Sequence, residues 1–435
     1  MVAHFPSRSS PIKFTEHERA KQMARLLNMI PIVFMSLIFS IESTHADPSW
    51  PQWRGPERDG IVDSVPLPET LTETENKVVW STPLAPSYSG PVIAEGKVFT
   101  TETVDEKDEV VRAFDKKTGK ELWKTSWPGA MSVFFIARAN GDWIRATPAY
   151  ADGKLYVAGM QDLVVCLDTQ DGSILWKADL ANEFKTGNPP FGFVSSPLVD
   201  GDALYVQAAN SVCRLNAQTG KVEWRVLKSS EAFGSAFSSP IIATIHGQRQ
   251  LVVQTRKELA GLNLADGSPY WQTEVPAFRD MNILTPTILG NKIFTSTYGG
   301  SSLMYEIQKQ DDGTFSVAEL WTNKAQGYMS SPVVINGDIY LHLRNQRFTC
   351  INSKTGETKW TTTPFGKYWS LLTDGKRILA LDERGDLLLI NVNPNEFELI
   401  SQLHISDSPS WAHLAIDDVH IYVRTLDELL VYSHK

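Results

Sequence analysis

The sequence predicts an all-β chain, an eight-bladed β-propeller of four-stranded antiparallel blades. Three observations predict it. Tryptophan recurs at a nearly constant interval, at 80, 123, 176, 224, 271, 321 and 360, so seven of the 13 Trp share one period. A short motif ending in proline recurs in phase, at Pro91, Pro148, Pro197, Pro240, Pro286 and Pro332, each 11–25 residues after a repeat Trp. Asp152-Gly153 and Asn336-Gly337 stand between alternating apolar runs. Such pairs tolerate positive φ and mark hairpin turns. A period of roughly 40–50 residues built of short strands is the signature of a propeller.

Bulk composition agrees with a globular chain. Of the 435 residues, 42% are hydrophobic and 21% charged, which excludes a disordered or fibrous protein. The 50 acidic residues exceed the 41 Lys and Arg, and a net charge of -9 argues against a nucleic-acid partner.

The N-terminal segment reads as a targeting signal over residues 1–46. Arg19, Lys21 and Arg25 precede 16 uncharged residues, Leu26 to Ile41, and Thr44-His45-Ala46 ends on a small residue. Basic flank, apolar stretch and small-residue site are the parts of a secretory signal peptide. The stretch is shorter than the roughly 20 residues a spanning helix needs. Met23 offers an alternative start. The expected location is periplasmic or secreted. No Cys stands near the expected cleavage point, so no stable membrane anchor is expected after signal cleavage. Cys166, Cys213 and Cys350 are far apart and odd in number, which reads as buried free thiols rather than a disulfide framework.

Residues 47–76, with Trp50, Trp53 and Arg54, read as an N-terminal strap packed on the propeller. The propeller itself is expected over 77–435. Each unit supplies a Pro-containing strand, a Tyr/Val strand, a strand running into Asp or Asn, and a strand carrying Trp. The last unit lacks its Trp strand, since the chain ends at the run 429–435. Strand 77–80 is expected to pair there and close the ring, because an open propeller would expose strand edges.

The Trp-terminated units share one pattern: apolar, Asp or Asn, three loose positions, Gly, three more, Trp. Copies end at Trp123, Trp176, Trp224, Trp271 and Trp360; Trp321 ends a degenerate copy and Trp80 keeps only the last strand. This pattern resembles the tryptophan-docking motif of the PQQ-like, or quinoprotein, propeller superfamily over nearly all of 77–435. The resemblance implies that each of these seven indoles stacks between blades against an Asp/Asn–Gly turn. The superfamily holds dehydrogenases that use pyrroloquinoline quinone with calcium, and a cofactor-free scaffold of outer-membrane assembly. The chain is more similar to the second. It has no adjacent cysteines, no recognisable calcium set and no catalytic constellation, although the lipid-bearing Cys of the scaffold branch is also missing. No cofactor and no metal are expected; quinone with calcium is the alternative, which would make the chain an oxidoreductase.

Candidate binding residues come from the connections. The links from Trp123 to Pro148 and from Trp176 to Pro197 span 25 and 21 residues, longer than the rest. Long loops on a rigid scaffold are where binding sits. The residue three before each Pro should enter the same channel mouth, which places Tyr88, Arg145 and Phe237 there, with Trp143, Phe193, Tyr328, Trp369 and Trp411 nearby. Aromatics that offer apolar faces and polar tips suit a peptide or a planar ligand. The expected function is a binding or scaffold module for envelope or secreted proteins and peptides; a small molecule or carbohydrate is the further alternative.

Overall fold

The computed structural model describes residues 1–2, 50–63, 66–231 and 233–434. The expected signal segment lies outside the described residues, apart from positions 1 and 2. The chain divides into residues 1–45 and 46–435, and every element of the fold lies in the second.

Thirty-two strands form eight sheets of four among the described residues, so the eight-bladed, antiparallel architecture is observed. Blade 1 comprises β2 (Val92–Ala94), β3 (Lys97–Val104), β4 (Asp108–Asp115) and β5 (Glu121–Pro128), hydrogen-bonded in that order. Six further blades repeat it, beginning at Ala149, Leu198, Ile241, Thr287, Val333 and Trp369. The eighth is composite. The chain's last three strands, beginning at Ala415, are completed by β1 (Val78–Pro83), which pairs antiparallel with Glu428–Ser433. First strands of neighbouring blades touch one another and surround the central axis.

The core lies between blades. Phe99, Val111 and Ala113 of blade 1 cluster with Leu155, Val157 and Val165 of blade 2, and the other clusters bridge neighbours in the same way. The Asp/Asn–Gly–Trp unit gains a physical meaning from this layering. Asp115 Oδ1 accepts from the backbone N–H groups of Lys117 and Thr118, and Gly119 N–H closes the turn on Asp115 O at 2.9 Å. The indole of Trp80, one blade back, lies over that turn and donates to Lys116 O at 3.0 Å. Trp123, Trp176, Trp224, Trp321 and Trp360 likewise donate to Thr169, Ala217, Leu264, Ser353 and Asn393 of the following blade, at 3.0–3.3 Å. Gly119 is constrained twice. Its φ is +70°, and a Cβ there would come within 2.6 Å of the Trp80 ring.

Trp271 departs from this geometry. It packs with Ile293 and Tyr305 of the following blade, but its N–H turns back to Gln250 Oε1 of its own blade at 2.6 Å. The following blade carries a longer hairpin, Ser302–Lys309 paired with Phe315–Asn323, whose tight Asp312-Gly313 turn offers no Asp/Asn-x-x-x-Gly loop.

Candidate functional site

The central channel is plugged at one end and open at the other. The plug is the strap. Trp50 bridges to Ile93 on blade 1, Tyr150 N–H of blade 2 donates to Pro51 O, and Ile61 bridges to Thr373 on blade 7. Between these anchors residues 52–60 turn inside the channel. Arg58 donates to Ser196 O and Pro197 O on blade 3, at 2.9 and 2.7 Å. Arg54 donates to Pro332 O on blade 6, at 2.5 Å. Both guanidinium groups lie about 5.5 Å from the Trp53 ring, at 5.5 and 5.4 Å, a cation–π arrangement. Trp53 meets His413 edge-on at 5.2 Å. Burial pushes the pKa of Arg58 down to about 9 and that of Arg54 to about 10. It pushes His413 down to about 3, with the Arg54 charge adding to the effect, so His413 is neutral at pH 7.

Above this floor lies a cavity of about 830 Å³. Its lower wall is a belt that explains the Ser/Thr-Pro landmark. The residue before each of the first four prolines passes its backbone N–H to the hydroxyl at the equivalent position of the next blade: Gly90 to Thr147, Thr147 to Ser196, Ser196 to Ser239, and Ser239 to Thr285, all at 3.0 Å. Gly90 is required by close approach, since a Cβ there would sit 2.8 Å from His413 O.

The rim is aromatic. Tyr88 stacks on Trp411 with centroids 4.4 Å apart, and Trp411 meets Tyr368 at 4.2 Å. The contacts continue through Tyr328 to Tyr298 at 5.7 and 5.1 Å, then to Phe278 at 6.2 Å. On the other side Phe134 contacts Phe135, Phe233 and Phe191 at 4.7, 5.1 and 6.4 Å, and Phe191 contacts Phe237 at 5.4 Å. The two long connections meet here, where Phe134 N–H donates to Pro190 O at 2.7 Å.

Of the residues proposed from sequence, Tyr88, Arg145, Phe237, Tyr328, Trp369 and Trp411 line the cavity together. Trp369 is mostly withdrawn into its blade, where its indole donates to Asp382 at 3.1 Å. Trp143 stands behind the wall and supports Tyr88 edge-on at 5.9 Å. Phe193 does not reach the cavity. It is buried in the blade 2–3 core with Ala158 and Leu204, and its N–H donates to Met160 O, while Phe191, two residues earlier, takes the lining position. Sequence reasoning missed Arg256, Tyr298 and Phe233, which sit on hairpin turns or connections that open on the same face. It also missed that the strap enters the channel.

Among the described residues no three His, Cys, Asp or Glu side chains converge to hold a metal ion. The three cysteines are buried in three different blades, so they form no cradle.

Comparisons with known proteins agree with this fold. BamB of Yersinia pestis is 22% identical over 321 residues, covering 70% of this chain and 75% of that protein. BamB of Salmonella typhimurium is 22% identical over 392 residues, covering 85% and 91%. The crystal structure of BamB from Moraxella catarrhalis superposes with a TM-score of 0.60 at 13% identity, over 82% of this chain and 97% of that one. Quinohemoprotein alcohol dehydrogenase from Comamonas testosteroni reaches 0.61 at 11% identity, over 89% and 80%, so these superpositions speak to fold alone. A family model described as outer membrane protein assembly factor BamB matches residues 70–130 and 106–362, which is most of the propeller, and the chain belongs to that family of PQQ-like propellers.

Proposed function

We infer that the chain is an exported propeller of the bacterial cell envelope, and that its open mouth binds segments of other envelope proteins without a cofactor. Membership of the BamB family supports the setting. The organisation into signal 1–46, strap 47–76 and propeller 77–435 is part of the same reading. The observation that carries the binding role is the mouth. Phe135 is 69% exposed and Ile136 56%, side by side on the longest connection, and Phe233 and Phe278 add apolar surface at the same rim. Large apolar groups gathered on one face of a soluble fold mark an interaction site. Rigid aromatics also lose little conformational freedom on binding. Among the described residues no helix is long and apolar enough to cross a membrane.

The test is binding of a permanently unfolded polypeptide, reduced and carboxymethylated α-lactalbumin, followed by fluorescence anisotropy. The double variant Phe135→Ser, Ile136→Ser is expected to weaken binding about tenfold, equivalent to about 1.4 kcal/mol. Absence of binding to the wild-type protein, or binding indifferent to the double variant, would reject the reading.

A further inference from the structure

The two halves of the cavity differ in what they offer a ligand. On blades 5 to 8 the rim is Tyr298, Tyr328, Tyr368 and Trp411, in mutual contact. On blades 2 to 4 the rim is phenyl, and beneath it stands an excess of hydrogen-bond donors, part of a hydroxyl belt that runs on through Thr285 of blade 5 to Ser330. Thr147, Ser196, Ser239 and Thr285 are each 3–4% exposed and line the cavity. Each hydroxyl oxygen already accepts a backbone N–H, and among the described residues none of the four gives its proton to a protein acceptor. A hydroxyl always has one proton to donate, so the wall holds four unspent donors.

Arginine adds to them. Arg145 is fixed by two of its nitrogens, Nε to Trp143 O at 3.2 Å and Nη2 to Gly141 O at 2.8 Å. Among the described residues Nη1 has no protein partner and no carboxylate lies within ion-pair distance, although Asp142 acts on the charge from farther off. Arg256 is 8% exposed and lies over Phe237 at 4.7 Å. It gives Nη2 to Arg279 O at 2.8 Å, while Nε and Nη1 have no partner among the described residues. The two carboxylates lining the cavity, Glu231 and Asp280, pair with Lys257 and act on the Arg256 charge from farther off, but neither bonds to Arg256. A protein of net charge -9 therefore keeps a donor-rich, acceptor-poor half-cavity. Buried donors without acceptors are costly unless something supplies the acceptor.

The channel is also blind, because Trp53 and its two arginines close the floor. A chain cannot thread through, and a chain end can reach the bottom without doubling back. An N-terminal ammonium would meet arginine, whereas a C-terminal carboxylate would complete the donor set with charge-assisted hydrogen bonds. We propose that the phenyl half of the cavity seats the C-terminal end of a polypeptide, with an apolar last side chain among Phe134, Phe191 and Phe237 and the α-carboxylate on Arg145 and the hydroxyl wall. This rests on the mouth being a protein-binding surface and names the part of the partner that it holds.

The test uses an N-terminally fluorescein-labelled pentapeptide, Gly-Ser-Val-Tyr-Phe, as free acid and as C-terminal amide, titrated with the wild-type protein. The acid is expected to bind at least tenfold more tightly, a difference that shrinks as salt is raised. Arg145→Gln should bring the acid down to the amide's affinity and leave the amide unchanged. Equal binding of acid and amide to the wild-type protein overturns the proposal without requiring any variant to fold. Phenylpropionate displacing the labelled acid as well as the unlabelled pentapeptide does overturns it too, because the site would then take a free aromatic acid rather than a chain end. If unfolded lactalbumin binds through Phe135 and Ile136 while the two peptides bind alike, only this proposal falls. If neither lactalbumin nor the peptides bind, the reading of the mouth falls with it.

Discussion

Trp53 and Phe135 belong to opposite ends of one channel, yet Trp53 is 7% exposed and Phe135 is 69% exposed. At the floor, every large group is held on several sides. Trp53 has Arg54, Arg58 and His413 around it, and the arginines are tied to backbone carbonyls on blades 3 and 6. At the mouth, Phe135 touches Phe134 and presents its remaining surface to solvent. The same kind of side chain therefore does two jobs. The floor converts apolar area into stability of the ring, while the mouth leaves apolar area unused by the fold. That difference is the strongest reason to look for a partner at the mouth and none at the floor.

The comparison can be broken at its floor first. Trp53→Ala removes a buried indole from between two arginines and should cost about 3–5 kcal/mol, read as a shift of the denaturant midpoint. A cost below about 1 kcal/mol would mean that the plug is merely resting in the channel. Arg58→Met should cost less, about 1–3 kcal/mol. It strands the carbonyls of Ser196 and Pro197, but it also removes a guanidinium whose burial is itself unfavourable.

Acid should act on the floor and spare the mouth. The folded pKa of His413 is depressed to about 3, below its ordinary value of 6.5. Between those values the unfolded chain binds the extra proton, so stability falls as pH drops from about 6.5 towards 3. The His413 share is roughly 1–2 kcal/mol at pH 5, and His413→Gln should flatten that part of the melting profile. A slope unchanged in the variant would place the acid sensitivity elsewhere. The smallest stability effect belongs to the mouth. The Phe135→Ser, Ile136→Ser variant should melt within about 0.5 kcal/mol of the wild type even as it loses binding; a large destabilisation would show that the mouth, too, is structural.

Legibility followed the same division. Tyr88, Arg145 and Phe237 were placed by counting three residues back from a proline, and the count works because the first strand of each blade enters the channel in the same phase. The same count gave no hint of Arg256 or Tyr298, which reach the mouth from the turns between second and third strands. Phe193 was misplaced because no strand pleat sets the parity of the irregular segment before Leu198, so neighbouring phenylalanines 191 and 193 could not be told apart. The Ser/Thr before each proline was visible as a landmark, but its role as acceptor for the previous blade's N–H was not.

What the sequence determined by itself is whatever repeats along it: the period of the Trp strands, the hairpin glycines and hence eight blades. Those features depend on neighbours within one blade or on the next, at most about one period away. What only the tertiary structure decided is the plug and the donor-rich half-cavity. Arg58 meets Pro197 across 139 residues and Arg54 meets Pro332 across 278. Such contacts leave no periodic trace, because each is made once, by a non-repeating strap, after ring closure has brought distant blades around a common axis.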